Sequence, residues 1–141
     1  MKRFCLISFI ALIYCEIASA NSPMWKIADN WICNPKLHTK IKLDGTVIGI
    51  NELAITHMID FKNSEIVSSS GNSIGKITKK FFIHNSNIGY VENIFVVDWK
   101  GWGNYSSYIK HDLKTNEFWK MGSSGPPRGV VYSSFSKCDP L

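Results

Sequence analysis

The chain has 141 residues, a formal net charge of +5 and 45% apolar residues, enough for one domain with a sizeable core but not for a second. Its basic residues are scattered, and Lys79-Lys80 is the only adjacent pair beyond Lys2-Arg3. This weakly favours anionic partners such as cell-envelope polymers and argues against nucleic acid.

Residues 1–20 predict an export signal. Lys2 and Arg3 open it, Phe4 to Tyr14 form its apolar run, and Ala18-Ser19-Ala20 supplies the small residues that signal peptidase needs. The run is shorter than the about 20 residues that span a bilayer, so no transmembrane anchor is expected in the mature chain. Cleavage near Ala20-Asn21 leaves 21–141 as one secreted or periplasmic β domain. The minor alternative is a lipoprotein anchored at Cys15, which bulky Tyr14 disfavours.

Cys5 and Cys15 leave with the signal, so Cys33 and Cys138 are the remaining pair. In an oxidising compartment they are most simply a disulfide. That bridge requires the first and last strands to lie side by side. No CxxC spacing supports a metal site or a thiol nucleophile.

Asn21 to Ile32 predicts a loosely ordered lead-in, with a strand through Trp31 and Cys33 that stops at Asn34-Pro35. Leu37 to Leu43 alternates, and Asp44-Gly45 then Thr46-Val47-Ile48 predicts a hairpin. Leu53 to Phe61 fits a strand and a helix almost equally, with strand preferred. Ile59-Asp60-Phe61-Lys62-Asn63-Ser64-Glu65 matches His111-Asp112-Leu113-Lys114-Thr115-Asn116-Glu117 in pattern, better read as shared turn chemistry than as duplication. Ser68 to Gly75 reads as a loop, Ile77 to His84 as a strand and Asn85 to Gly89 as a turn.

Val91 to Lys120 predicts three antiparallel strands. Ile94 to Trp99 is the first, and Lys100 to Asn104 is a reversal whose glycines and asparagine suit positive φ. Tyr105 to His111 alternates, and a second turn leads to Phe118-Trp119-Lys120. Gly122 to Gly129 reads as the longest irregular segment, before a final strand from Val130. The expected fold is all-β, a single antiparallel meander of seven or eight strands forming a small barrel or sandwich closed by Cys33–Cys138. In outline it is similar to periplasmic lysozyme-inhibitor barrels and lipocalin-like barrels, an architectural likeness that does not fix function.

No local catalytic signature is present, and His38, His57, His84 and His111 are not spaced as metal pairs, so no cofactor or metal is expected. Each histidine reads as a surface or interface residue. Asp98 lies in an apolar strand but faces away from Val97 and Trp99, most simply toward solvent. The aromatic cluster from Trp99 to Trp119 is the feature above background. Trp102, between two glycines at a turn, is either an exposed contact residue or a plug for the barrel end. Asn104 reads as a turn residue, although Asn104-Tyr105-Ser106 is also a glycosylation sequon. Trp102, Asn104, Tyr105 and Arg128 are the candidate binding residues. They suggest a non-enzymatic module for a glycan, a peptide or an envelope or secreted protein, including an inhibitor whose Gly122–Gly129 loop enters a secreted hydrolase. The alternative is a small secreted hydrolase with a His/Asp site assembled in space.

Overall fold

The computed structural model of the protein describes residues 22–42, 44–50, 55–87, 90–124 and 130–141. The expected signal, Leu43, the first part of the ambiguous 53–61 stretch and Arg128 lie outside them. A one-turn helix, α1 (Met24–Ile27), precedes nine strands. These are β1 (Asn30–Lys42), β2 (Val47–Ile50), β3 (His57–Asp60), β4 (Glu65–Ser68), β5 (Ser73–Asn87), β6 (Tyr90–Lys100), β7 (Asn104–Asp112), β8 (Glu117–Ser124) and β9 (Val130–Pro140).

Eight of the strands close an antiparallel barrel in the order β1-β3-β4-β5-β6-β7-β8-β9, and β2 is appended to the far half of β1. Closure comes from β1 pairing with β9 from Trp31↔Pro140 to Lys42↔Val130. Cys33 and Cys138 face each other in that ladder and form the expected disulfide. The ladder continues past Pro35, so the strand does not stop at Asn34-Pro35. An irregularity between Pro35 and Leu37 absorbs the missing donor.

That irregularity also reverses side-chain parity. Leu37 turns outward into a cross-strand row with Phe135, Met121, Tyr108, Val96 and Phe81, while His38 turns inward. The Asp44-Gly45 hairpin forms as expected, with Gly45 at φ 86° and Asp44 Oδ1 accepting the Thr46 N–H.

The two matching segments fold into the same turn. Ser64 and Asn116 occupy equivalent positions at φ 57° and 55°, and the Asp60 and Asp112 carboxylates accept backbone N–H groups inside their turns. Glu65 pairs with Lys76, and Glu117 with Lys137. At the 101–103 reversal, by contrast, neither glycine has positive φ. Gly101 is needed for close approach, because a Cβ there would collide with the Ile74 carbonyl oxygen.

Three further expectations change. The lead-in is ordered: Met24 is fully buried, Trp25 packs on Phe61 and Phe95, and Trp31 Nε1 donates to the Met24 and Ala28 carbonyls. A short helix is thus pinned as a plug by its own apolar residues. The irregular segment is shorter than expected, since β8 runs to Ser124. His111 is a core residue rather than a surface one, with its ring stacked on Phe118 at 4.1 Å and Nε2 bonded to Asn116 Oδ1.

The core occupies only the plugged half of the barrel, around Met24, Trp31, Ile59, Ile66, Phe95, Ile109 and Phe118, with the disulfide at its upper edge. Burying a bridge that ties the ring-closing strands should stabilise the fold by about 2–4 kcal/mol. The Cys33→Ser/Cys138→Ser double variant should therefore show a lower thermal midpoint than the oxidised parent, measured by circular dichroism.

Candidate functional site

Above the disulfide the interior changes character. In antiparallel strands alternate residues face inward, and register aligns them across the ring. Ile109, Lys120, Ser136 and Pro35 are successive cross-strand partners, and so are Val97, Ser107, Gly122, Ser134 and His38. Small and polar groups cannot fill this half as Trp31 and Phe95 fill the other. A cavity of about 290 Å³ remains above Ile109 and Val97, which belong to the core, and it is lined by the other residues of the two rows and by His57, Trp99, Tyr105 and Tyr132. It faces the end carrying the 101–103 turn, where Ile55 and Ile74 at its rim are exposed.

One wall is an aromatic pair. Trp99 and Tyr105 are cross-strand partners with rings stacked at 3.9 Å and 9°. Opposite, His38 lies 5.9 Å from Tyr132, and Lys40 Nζ stands 5.7 Å over the Tyr132 ring.

The floor is cationic and rich in hydroxyls. Lys120 is buried at 4% exposure, and no hydrogen bond or ion pair reaches its Nζ from the described residues. Burial pushes its pKa down to about 8. Burial also pushes His57 down to about 4, with the Lys120 charge acting in the same direction, so His57 is neutral at pH 7. Ser107 and Ser136 are buried, and the Ser136 hydroxyl has no partner among the described residues.

Gly122 keeps this floor open. A Cβ there would meet Ser134 Oγ at 2.9 Å, Lys120 Nζ at 3.2 Å and Ser107 Oγ at 3.6 Å. Three polar groups therefore converge over one glycine.

No described residue lining the cavity is a carboxylate. Asp60, Glu65, Asp112 and Glu117 instead flank turns at the plugged end, and all four have lowered pKa values. Backbone N–H groups of Lys114 and Thr115 hold Asp112 down, and Lys137 holds Glu117 down. Asp98 faces outward and accepts the Ser106 hydroxyl at 2.6 Å. Among the described residues, no group of three or more His, Cys, Asp or Glu residues could hold a metal ion.

Of the four candidate binding residues named from sequence, Tyr105 is the one seen in the cavity wall. Trp102 is 100% exposed on the turn at the rim and does not plug the barrel. Asn104 is exposed at the start of β7, on a shallow outer depression shared with Asp98 and Ser106. Sequence reasoning missed Lys120, the inward serines and the roles of His38 and His57. One signal was available: Lys120 shares strand parity with Phe118, which marks a lysine on an apolar inner face.

Comparisons of the chain with protein-family models, with curated proteins and with solved structures find no match.

A buried ammonium without a described counter-charge costs stability. Because the folded pKa of Lys120 lies below the unfolded value, the unfolded chain binds more protons between about pH 8 and 10.5, and stability rises with pH through that window. Lys120→Met should remove this slope and raise the stability of the empty protein at pH 7, by up to about 3 kcal/mol. Urea unfolding of both proteins at pH 7 and 10 measures the effect.

Proposed function

We propose that the protein is an exported, non-enzymatic binding protein that holds a small organic molecule inside its barrel. The observation that carries this reading is the cavity, enclosed by eight strands, closed below by the core and lined by the stacked Trp99–Tyr105 pair above a polar floor. Barrels of eight strands have interiors wide enough for one small ligand. Apolar walls with a few convergent polar groups are the usual composition of ligand sites.

The hydrolase alternative has less support. It needs a histidine, a carboxylate and a serine within hydrogen-bond reach, and the described cavity supplies only the first and last of these. His57 Nδ1 lies 3.2 Å from the Ile55 carbonyl oxygen, and no described acid orients the ring.

A fluorescent apolar probe such as 1-aminoanthracene should bind the purified protein at one site per chain, with a blue shift on entering the cavity. Gly122→Leu directs a side chain into the same space and should weaken that binding at least tenfold while the far-ultraviolet spectrum stays unchanged. Binding that is indifferent to Gly122→Leu would remove the cavity as the site.

A second surface is favoured by a separate observation. Trp102 is wholly exposed at the rim, and large exposed aromatics of this kind serve as anchors for partners. The partner class is an envelope or secreted protein, or a carbohydrate. Trp102→Ala should leave the thermal midpoint unchanged, since no packing is lost, while reducing partner recovery in a pull-down from the native periplasm or secretome. Truncation of such an anchor typically costs about 2 kcal/mol or more, roughly thirtyfold in affinity.

A further inference from the structure

Resting on the cavity reading, we infer that the ligand carries a single carboxylate head, seated on Lys120 Nζ and the hydroxyls of Ser107, Ser134 and Ser136, with its apolar body against Trp99 and Tyr105. Lys120 is 4% exposed, yet it reaches no acceptor or counter-charge among the described residues. A buried ammonium in that state carries a desolvation cost that an incoming anion offsets.

The neighbouring groups suit an anion as well. Hydroxyls donate readily, and Ser136 Oγ, across the ladder from Lys120, is buried without a partner among the described residues. Ser107, Gly122 and Ser134 form one cross-strand row. The bare Gly122 brings Ser134 Oγ and Lys120 Nζ within 2.9 and 3.2 Å of a point where any other residue would place its Cβ.

The charge count selects a monoanion. Among the described lining residues Lys120 is the only lysine or arginine, and the nearby Lys40 ammonium stands over the Tyr132 ring rather than at the floor. His57 is held neutral by burial and by Lys120 itself. A dianionic phosphate would bring two charges to one ammonium, without the guanidinium fork that commonly recognises it. A carboxylate matches one ammonium plus two or three hydroxyl donors.

The titratable groups sharing the cavity with Lys120 are His57 from β3, His38 from β1, Tyr132 from β9 and Tyr105 from β7, and the Lys40 ammonium of β1 stands over the Tyr132 ring. Above about pH 8 the empty site loses its ammonium proton. Carboxylate affinity should then fall as pH rises, while that of an uncharged analogue stays constant.

The test is isothermal titration calorimetry on the mature protein with two matched pairs: naphthalene-2-carboxylate against naphthalene-2-carboxamide, and octanoate against octanamide. The expected result is that at pH 7 the acid of at least one pair binds at least tenfold tighter than its amide. That gap should narrow between pH 8 and 10, and Lys120→Met should abolish it. Equal binding of acid and amide in both pairs, unchanged in Lys120→Met, overturns the anionic head and leaves the cavity reading standing. Silence from all four compounds overturns both. Should Lys120→Met fail to fold, the wild-type acid-to-amide ratio and its pH dependence decide the question alone.

Discussion

The ladder between β1 and β9 turns a meander into a ring, and both the core and the cavity exist only inside that ring. Without that pairing the first and last strands would be open edges, exposed to other chains. With it, the inward faces of eight strands surround one space. The Cys33–Cys138 bridge fixes the ladder where its two halves differ, below it Trp31 and Phe118 in edge contact at 4.5 Å, above it Ser136 and Lys120. One covalent constraint thus maintains closure and marks the boundary between core and cavity.

Division of the interior has an energetic consequence. Large aromatic residues and the α1 plug concentrate hydrophobic stabilisation in one half. The other half is left underfilled, because Gly122 and the inward serines occupy positions where larger apolar side chains would complete the packing. Lys120 adds to the cost by burying a charge there. Proteins carry local deficits of this kind where function requires them, with stability supplied elsewhere in the fold. The distribution of acids agrees, since four carboxylates flank turns at the plugged end while no described carboxylate lines the cavity.

Much of the architecture was legible because it rests on local chemistry. The Asp44-Gly45 hairpin, the paired Asp-to-Glu turns and the strand alternation from Ile94 to Lys120 each depend on a few adjacent residues, and all formed. Pairing of Cys33 with Cys138 followed from counting. The expectations that failed rested on tertiary context. Pro35 did not end its strand because a bulge accommodated it, and Met24–Ile27 became ordered only because the barrel offered an apolar end to fill. Gly101 and Gly103 were assigned to a conformational role, whereas Gly101 serves close packing against Ile74. The cavity was nearly invisible in sequence. Its floor comes from β7, β8 and β9, and register alone brings Ser107, Lys120 and Ser134 together. Strand parity could have shown that Lys120 points inward. Whether the space around it was filled could not be read without the closed ring.

One lysine sits buried and without a described counter-charge inside an otherwise well-formed barrel. Its own titration tests this most directly. With 13Cε-labelled lysine, the Lys120 resonance, assigned by comparison with Lys120→Met, can be followed from pH 6 to 11. The structure predicts a midpoint of about 8 for Lys120, set by burial, against about 10.4 for unperturbed lysines. A Lys120 midpoint at or above the unperturbed value would rule out this buried, unpaired ammonium. The side chain would then be solvated or paired with an acid, and the cavity floor described here would not exist in solution.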